Sequence, residues 1–238
     1  MTAAQVQELI VRYEGRVLAG PVSFELRPGD RLGIRGPSGS GKSTVLRALV
    51  GLLPPGLAVE GTIELLGIDV RGPDVDLADV RARAVLVPQT PVAFPGSILA
   101  NALFGLRHIV RAPGRELRAR AEAALVEAGL WEEVSDRLDA PALQLSVGQR
   151  QRLCLARSLA LDPALLLLDE PCSALDARAT ATVEAAIGGL DSRRSLIVVS
   201  HDIAQLNRLC EPTIDLGDGA ERQVREVDPD VIARRLGA

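Results

Sequence analysis

The sequence predicts an α/β fold with a helical insertion, and three of its features carry that prediction. The continuous apolar runs at 165–168 and 196–199 are typical of parallel strands buried on both faces, and the helical pattern at 180–190 predicts a crossover helix between them. A glycine-rich segment at 36–43 lies between a short apolar strand and a helical pattern. From about 98–160 the pattern is helical, with few strand signals. We therefore predict an α/β core whose chain is interrupted by a helical lobe.

The first ninety or so residues alternate between strand patterns and turn signals. Glycine and proline predict turns at 14–15 and 28–30. The predicted strands are 5–13, 22–26, 31–35, 62–66 and 84–87, and the predicted helix is 42–51.

Composition places the chain among ordinary globular proteins. Its 238 residues are enough for one sizeable core, and 47% of them are hydrophobic and 24% charged. Aromatic residues make up only 2%, so we expect a mostly aliphatic core. The net charge of −4 does not resemble the basic footprint of a nucleic-acid-binding protein. We expect no nucleic-acid partner.

The cysteines and the apolar segments are typical of a cytosolic protein. Cys154, Cys172 and Cys210 fit no metal-ligand spacing, and their odd number argues against a disulfide framework, so we expect reduced, mostly buried thiols. The N-terminus lacks the apolar core of a signal peptide. No apolar stretch approaches the roughly 20 residues of a membrane helix, so we expect any membrane role to depend on a partner. Because the chain ends soon after 231–236, no large C-terminal regulatory domain is expected.

The segment 36–43 fits the phosphate-binding P-loop pattern at every required position. Its glycines let successive backbone N–H groups face an anion, and the following helix adds the positive end of its dipole. Lys42 is placed to reach the β- and γ-phosphates of a nucleotide, and the Ser43 hydroxyl to ligate Mg²⁺. The predicted nucleotide-binding residues are Gly36, Pro37, Ser38, Gly39, Ser40, Gly41, Lys42, Ser43 and Thr44.

Two adjacent carboxylates narrow the chemistry, because kinases, GTPases, helicases and transport ATPases all share the P-loop. Asp169 and Glu170 follow the apolar run 165–168, and neighbouring side chains in a strand point to opposite sides. We predict that Asp169 holds Mg²⁺ and that Glu170 polarises a water for attack on the γ-phosphate. The alternative is a polar strand end that enters a turn at Pro171.

The run Leu145-Ser146-Val147-Gly148-Gln149 resembles the signature of ABC ATPases, which is usually L-S-G-G-Q. Other segments resemble the same family, in the family's order and along nearly the whole chain. They are Tyr13 before the P-loop, Gln89 at the end of a strand, the run 173–176 after Glu170, and His201 after the run 196–199.

This resemblance implies a fold and its boundaries. It implies a P-loop NTPase core of the RecA-like kind, with an N-terminal antiparallel β-subdomain and an inserted α-helical subdomain. We expect one ABC ATPase domain over 1–238, with the catalytic core and β-subdomain in 1–90 and 158–238. The helical subdomain in 91–157 is expected to carry the signature.

The resemblance also implies roles outside the P-loop. Tyr13 is expected to stack on adenine, Gln89 to act at the metal and in catalysis, and His201 to act as a switch histidine. In the family two subunits pack head to tail, so that the signature of one caps the ATP of the other. The residues expected at this shared site are Ser146, Gly148, Gln149 and Asp176.

Several of these residues also fit plain structural roles. Tyr13 fits an edge-strand aromatic, Gln89 a turn residue, and His201 a capping residue. Val147 stands where the family usually has glycine, and a β-branched residue resists positive φ. It would weaken the cap if the position required such a backbone, and it would be tolerated if its side chain faced away from ATP.

Two segments resemble the phosphate-import ATPases within this family. The first is 88–98, continuing to Asn101 and 104–107, and the second is 151–154 together with 169–176. Ala177 departs from them, because they usually have proline there, and the stretch 51–62 is shorter than theirs. The resemblance implies an ATP-hydrolysing motor at the cytoplasmic face of the cell membrane, bound peripherally through its partners.

The implied cofactors are ATP and Mg²⁺. The implied partners are transmembrane permeases in separate chains, a second ATPase subunit in a homodimer or heterodimer, and an extracytoplasmic solute-binding protein. Phe94 and Ile98 are expected to anchor a permease helix, and the alternative is that both pack inside the helical lobe.

Two other functions compete with transport. A soluble ABC ATPase that serves no permease would carry the same motifs. A small-molecule kinase would use the P-loop for phosphoryl transfer, but it leaves the signature, Gln89 and His201 unexplained.

Overall fold

A computed structural model of the chain describes residues 2–217. The strands are β1 (Ala4–Tyr13), β2 (Arg16–Leu26), β3 (Arg31–Arg35), β4 (Leu57–Leu65), β5 (Ile68–Asp69), β6 (Ala84–Val87), β7 (Leu165–Asp169), β8 (Ser195–Val199) and β9 (Thr213–Asp215). The helices are α1 (Lys42–Leu49), α2 (Leu77–Arg83), α3 (Ile98–Ala102), α4 (Phe104–Ile109), α5 (Gly114–Glu127), α6 (Trp131–Val134), α7 (Val147–Leu159), α8 (Ala177–Gly188) and α9 (Ile203–Leu209). The expectations for 231–236, and for the end of the predicted core segment 158–238, fall outside the described residues.

These strands form two sheets. An antiparallel sheet has the order β2-β1-β4-β5, and a second sheet has the order β6-β7-β8-β3-β9. All pairs in the second sheet are parallel. Helices α3 to α7 lie between β6 and β7 along the chain. The predicted P-loop NTPase class, with an antiparallel sheet and a helical insertion, is confirmed.

Strands β7 and β8 show why the sequence contains continuous apolar runs. Every residue of both strands is buried. Leu165 and Leu167 pack into a core with α1 and the antiparallel sheet, whereas Leu166 and Leu168 pack into a core with the inserted helices. Successive side chains of a strand face opposite sides, so a sheet covered on both sides needs apolar residues at each position.

Parts of the antiparallel sheet are longer than the sequence predicts. Strand β2 begins at Arg16 and not at 22, and β4 begins at Leu57 and not at 62. Both strands pair with β1 from end to end, through shifts in register that disturb the local alternation. The sequence pattern also does not predict α9 or β9.

The thiols are mostly buried, as the sequence predicts. Cys154 and Cys210 are buried, Cys172 is partly buried, and all three are free thiols. Burial raises the pKa of Cys172 to about 11 and that of Cys210 to about 12. Among residues 2–217, no helix combines the length and the apolar character that crossing a membrane requires.

Leu167 lies at the centre of this arrangement and is fully buried. We expect Leu167→Ala to lower the free energy of unfolding by about 2–5 kcal/mol, because it leaves a cavity between the sheet and α1. Leu143→Ala is the matched control, since Leu143 is 60% exposed, and it should change stability by no more than about 0.5 kcal/mol. Urea denaturation followed by circular dichroism measures both, and equal effects would contradict the assignment of the core.

Candidate nucleotide-binding site

A close backbone approach at Gly41 fixes the loop between β3 and α1. Gly41 precedes α1 and has a φ of 87°, in the left-handed region that glycine adopts most easily. A Cβ at this position would lie 2.4 Å from the carbonyl oxygen of Leu18 and 2.6 Å from the Cβ of Ala19. Only glycine therefore lets the loop pass β2 and enter the N-terminus of α1.

Lys42, the first residue of α1, lies at the centre of this loop with its side chain only 6% exposed. Its Nζ donates hydrogen bonds to the carbonyl oxygens of Gly36, at 2.8 Å, and Pro37, at 2.9 Å. The same Nζ lies 3.7 Å from Glu170 Oε1. The ammonium group is thus held where the loop and the end of β7 meet.

Ser43 and Asp169 are joined directly, although 126 positions separate them. The Ser43 hydroxyl donates a 2.7 Å hydrogen bond to Asp169 Oδ1. Asp169 is buried, and this burial raises the pKa of its carboxyl against the opposing effect of the Ser43 hydrogen bond. A hydroxyl beside a carboxylate is the oxygen donor set that Mg²⁺ prefers, so these two predicted metal-binding residues fit the ion.

Glu170 points away from Asp169 and contacts His201. Its Oε2 lies 2.6 Å from His201 Nδ1, and its side chain is 9% exposed whereas that of His201 is 57% exposed. Glu170 has a φ of 48°, which places its backbone in a region that residues other than glycine seldom adopt. The two carboxylates therefore face different partners, and the cause is the left-handed backbone of Glu170, which follows the end of β7, and not the strand alternation that the sequence predicted.

Most of the P-loop and Glu170 line a cavity of about 450 Å³. Gln89 also lines it, and its Nε2 donates a 3.3 Å hydrogen bond to Ser173 Oγ. Leu18 of β2 is a lining residue that the sequence prediction missed, because the predicted strand began only at 22. The lining residues are Leu18, Ser38, Gly39, Gly41, Lys42, Ser43, Thr44, Gln89 and Glu170.

The signature forms the N-terminus of α7. Ser146 Oγ accepts a hydrogen bond from the Gln149 N–H, and Gln149 Oε1 accepts one from the Ser146 N–H, which together make a capping box. Val147 is the first residue of the helix, lacks a positive φ and is 40% exposed. The position therefore needs no glycine backbone in this structure.

Gly148 has a packing role that the sequence did not reveal. A Cβ on Gly148 would lie 2.9 Å from the Cβ of Ala179 in α8. The glycine therefore lets the first turn of α7 pack closely against α8, whose first residue follows Asp176. Asp176 itself caps α8, since its Oδ1 accepts a 2.8 Å hydrogen bond from the Ala179 N–H.

Ten predicted site residues do not line the cavity. Five of these belong to the P-loop or bond to a residue that lines the cavity, namely Gly36, Pro37, Ser40, Asp169 and His201. The other five lie apart from it. Tyr13 ends β1 with 47% of its surface exposed, near Gly56. Asp176 caps α8, and the signature residues lie at the start of α7. The predicted site residues that do not line the cavity, among those the structure describes, include Tyr13, Ser146, Gly148, Gln149 and Asp176.

The predicted permease anchors differ from each other. Ile98 is fully buried, so the prediction that it anchors a partner is wrong, because its side chain fills the core of the helical lobe. Phe94 packs on Phe104 with ring centroids 4.5 Å apart, and the Arg157 guanidinium lies 4.2 Å from the centroid of the Phe94 ring. Phe104 is 45% exposed, and sequence reasoning missed it.

Comparison with known proteins agrees with the motifs. The model of the ABC transporter family matches residues 19–173. The phosphate import ATP-binding protein PstB 1 of Vibrio cholerae is 39% identical over 89% of this chain and 78% of its own length. The protein of the same name from Synechococcus sp. strain JA-3-3Ab is 40% identical over 88% of this chain and 76% of its own length.

A solved structure agrees as well. An ATP-binding cassette determined as a dimer, in a post-hydrolysis state with ADP and Pi bound, superposes with a TM-score of 0.78 at 27% identity. The match covers 94% of this chain and all of the other. The fold and site thus define an ATP-binding cassette. The chain belongs to the ABC transporter family, as an ATP-binding subunit that hydrolyses ATP.

An ion pair beneath the signature ties α6 to α7. The buried Arg152 side chain donates 2.6 Å hydrogen bonds from Nη1 to Glu133 Oε1 and to the Gly129 carbonyl oxygen. Gln149 Nε2 donates to Glu133 Oε2 at 2.7 Å. The Arg152 hydrogen bond, helped by that of Gln149, holds the pKa of the Glu133 carboxyl below its usual range.

This ion pair makes part of the stability depend on pH. A carboxyl whose pKa is lower in the folded state stabilises the fold above its unfolded pKa, and this effect is lost as the pH falls through the folded pKa. We expect Glu133→Gln to lower the melting temperature at pH 7, and the difference from wild type to shrink below about pH 4. Thermal unfolding between pH 7 and 3.5 measures this, with Glu132→Gln as the exposed control. A difference that stays constant with pH would contradict it.

Proposed function

We propose that this chain is the ATP-hydrolysing motor of a phosphate importer, acting through Mg²⁺-ATP at the cavity around Lys42. The observation that carries the proposal is the convergence of Lys42, Glu170 and Gln89 on one cavity, beside the Ser43–Asp169 pair. Its relatives named as phosphate import ATP-binding proteins support phosphate as the transported solute.

In this proposal the P-loop and α1 bind the phosphates. The loop's backbone N–H groups and the N-terminus of α1 face the anion. Lys42 exchanges its bonds to the Gly36 and Pro37 carbonyls for phosphate oxygens. Ser43 and Asp169 would hold a bound Mg²⁺, which would neutralise charge on the phosphate oxygens.

Glu170 and His201 carry the hydrolytic step. Glu170 lines the cavity and orients a water for attack on the γ-phosphate, while its second oxygen contacts His201. Gln89 faces the same cavity from the end of β6 and hydrogen-bonds Ser173, two residues after Pro171. A change at the γ-phosphate would thus be transmitted to the turn that follows Glu170 and to the segment after Gln89, which leads into the helical lobe.

The signature serves a second ATPase subunit in this proposal. Ser146, Gly148 and Gln149 lie at the N-terminus of α7, where a helix favours negative charge, but they do not line the cavity of their own chain. A head-to-tail dimer would bring them to the partner's ATP, together with Asp176. Tyr13 would stack on adenine at the exposed end of β1. One chain contains both half-sites, which suits a homodimer.

The permease would contact the helical lobe, and a solute-binding protein would deliver the phosphate outside. Phe104, which packs on Phe94, and Ile109 at the end of the same helix are about half exposed. Such exposed apolar residues are of the kind that dominates interfaces. In this proposal the motor lies at the cytoplasmic face of the membrane. No observation favours a soluble ABC ATPase or a kinase.

Glu170→Gln tests the motor mechanism. The substitution keeps the shape of the side chain but removes the carboxylate that orients water, so we expect ATPase activity to fall by at least about 100-fold. Because ATP then stays at the shared interface, Mg²⁺-ATP should produce a stable dimer by light scattering. Glu132→Gln should behave as wild type, and a Glu170→Gln protein that stays monomeric with Mg²⁺-ATP would overturn the mechanism.

Co-purification tests the transport assignment. We expect the tagged protein, extracted from its native membranes in mild detergent, to carry two multi-span permease chains and a phosphate-binding protein, identified by mass spectrometry. A permease for another solute would replace phosphate as the transported solute and leave the motor function unchanged. Only soluble partners would overturn the importer assignment.

A further inference from the structure

A buried amide lies behind the Glu170–His201 pair. Gln205 of α9 is 3% exposed, and it lines a cavity of about 220 Å³ together with Glu170, Cys172 and His201. Buried amides are retained where each of their hydrogen bonds has a partner. The surroundings of Gln205 come from α8, from the turn after Glu170 and from the segment that contains His201.

The first partner is in α8. Gln205 Nε2 donates a 3.1 Å hydrogen bond to Glu184 Oε1. Glu184 is held in turn by Arg208, which donates from Nε to Oε2 at 2.8 Å and from Nη2 to Oε1 at 2.7 Å. The Glu184 carboxylate is therefore a fixed acceptor, and it locks the amide of Gln205 in one orientation.

The second partner is the turn that contains Glu170. The Gln205 side chain lines the same cavity as Cys172, which lies two residues after Glu170, and the Gln205 amide opposes the burial that raises the pKa of the Cys172 thiol. The Ser173 N–H closes this turn by donating to the Glu170 carbonyl oxygen at 3.2 Å. Because Glu170 has a φ of 48°, its backbone keeps this conformation only where the surroundings fix it.

The third partner is the segment that contains His201. The backbone N–H of Gln205, which any residue at this position would supply, donates to Asp202 Oδ1 at 3.1 Å and so caps α9 one residue after His201. The Asp202 N–H donates to Ser200 Oγ at 3.0 Å. The Gln205 side chain therefore lies between Glu184 and the cavity that Glu170 and His201 line, and its backbone is tied to the segment that follows His201.

We propose that Gln205 is a positioning residue for ATP hydrolysis, which sets the Glu170 turn and the His201 segment at the distance that the reaction requires. It does not contact the P-loop, so it acts on the hydrolytic step and not on ATP binding. The inference rests on the roles proposed above for Glu170 and His201. Misplacement of a catalytic group by about 1 Å can reduce a rate by about 100-fold, so loss of one tie is expected to be visible.

Gln205→Met is the direct test, because methionine keeps the length, the volume and the backbone hydrogen bond to Asp202 but cannot make the side-chain hydrogen bond to Glu184. We expect kcat for ATP to fall about tenfold, with KM and the affinity for an ATP analogue within about twofold of wild type. Asn207→Met, on the exposed side of α9, is the matched control and should leave kcat unchanged. Undiminished kcat in Gln205→Met would overturn the inference.

A double-mutant cycle separates positioning from general loss of structure. In the His201→Ala background, Gln205→Met should cost less than about a further twofold, because both changes act on the same contact. Equal losses in both backgrounds would overturn the inference. If His201→Ala hydrolyses ATP normally, the role proposed for His201 fails and the inference fails with it. If only His201→Ala is impaired, the inference alone fails.

Changes at Glu184 keep the test decisive should Gln205→Met not fold. Glu184→Gln retains a carbonyl acceptor for the Gln205 amide and should keep kcat within about twofold of wild type. Glu184→Ala removes that acceptor and should lower kcat with KM unchanged. A folded Glu184→Ala protein with normal kcat would overturn the inference.

Discussion

The hydrogen bond between Ser43 and Asp169 joins the two halves of the site, and the rest of the arrangement depends on the sheet that makes it possible. In the order β6-β7-β8-β3, all strands run the same way, so their carboxyl ends share one edge. Each strand delivers one part of the site to that edge. Gln89 follows β6, the two carboxylates end β7, His201 follows β8, and the P-loop follows β3.

The same edge has to hold charged groups out of water. Lys42 and Glu170 both have side chains less than a tenth exposed, and a charge buried without partners is strongly destabilising. The loop meets this requirement with its own carbonyl oxygens, and His201 meets it for Glu170. Substrate binding would therefore replace the same contacts that stabilise these charges in the free protein. This links the stability of the site to its function.

The signature illustrates how one residue can serve packing and function together. Gly148 lies where a Cβ would collide with α8, so its absence of a side chain is required by the fold as well as by the proposed contact with a partner's ATP. Val147, one residue earlier, has helical backbone and an exposed side chain. The substitution that looked most disruptive in the sequence therefore lies where the backbone accepts it.

The sequence by itself determined the P-loop, the carboxylate pair, the parallel strands and the family, because glycine spacing and continuous apolar runs are local requirements of backbone geometry and burial. It did not determine the extent of β2, the contact of Leu18 with the cavity, the burial of Ile98 or the role of Gln205. Only the tertiary structure decided these, because pairing with β1 and packing between α8, α9 and the Glu170 turn join segments far apart in the chain. Such contacts follow from the summed packing of many residues and leave no periodic pattern in any one segment.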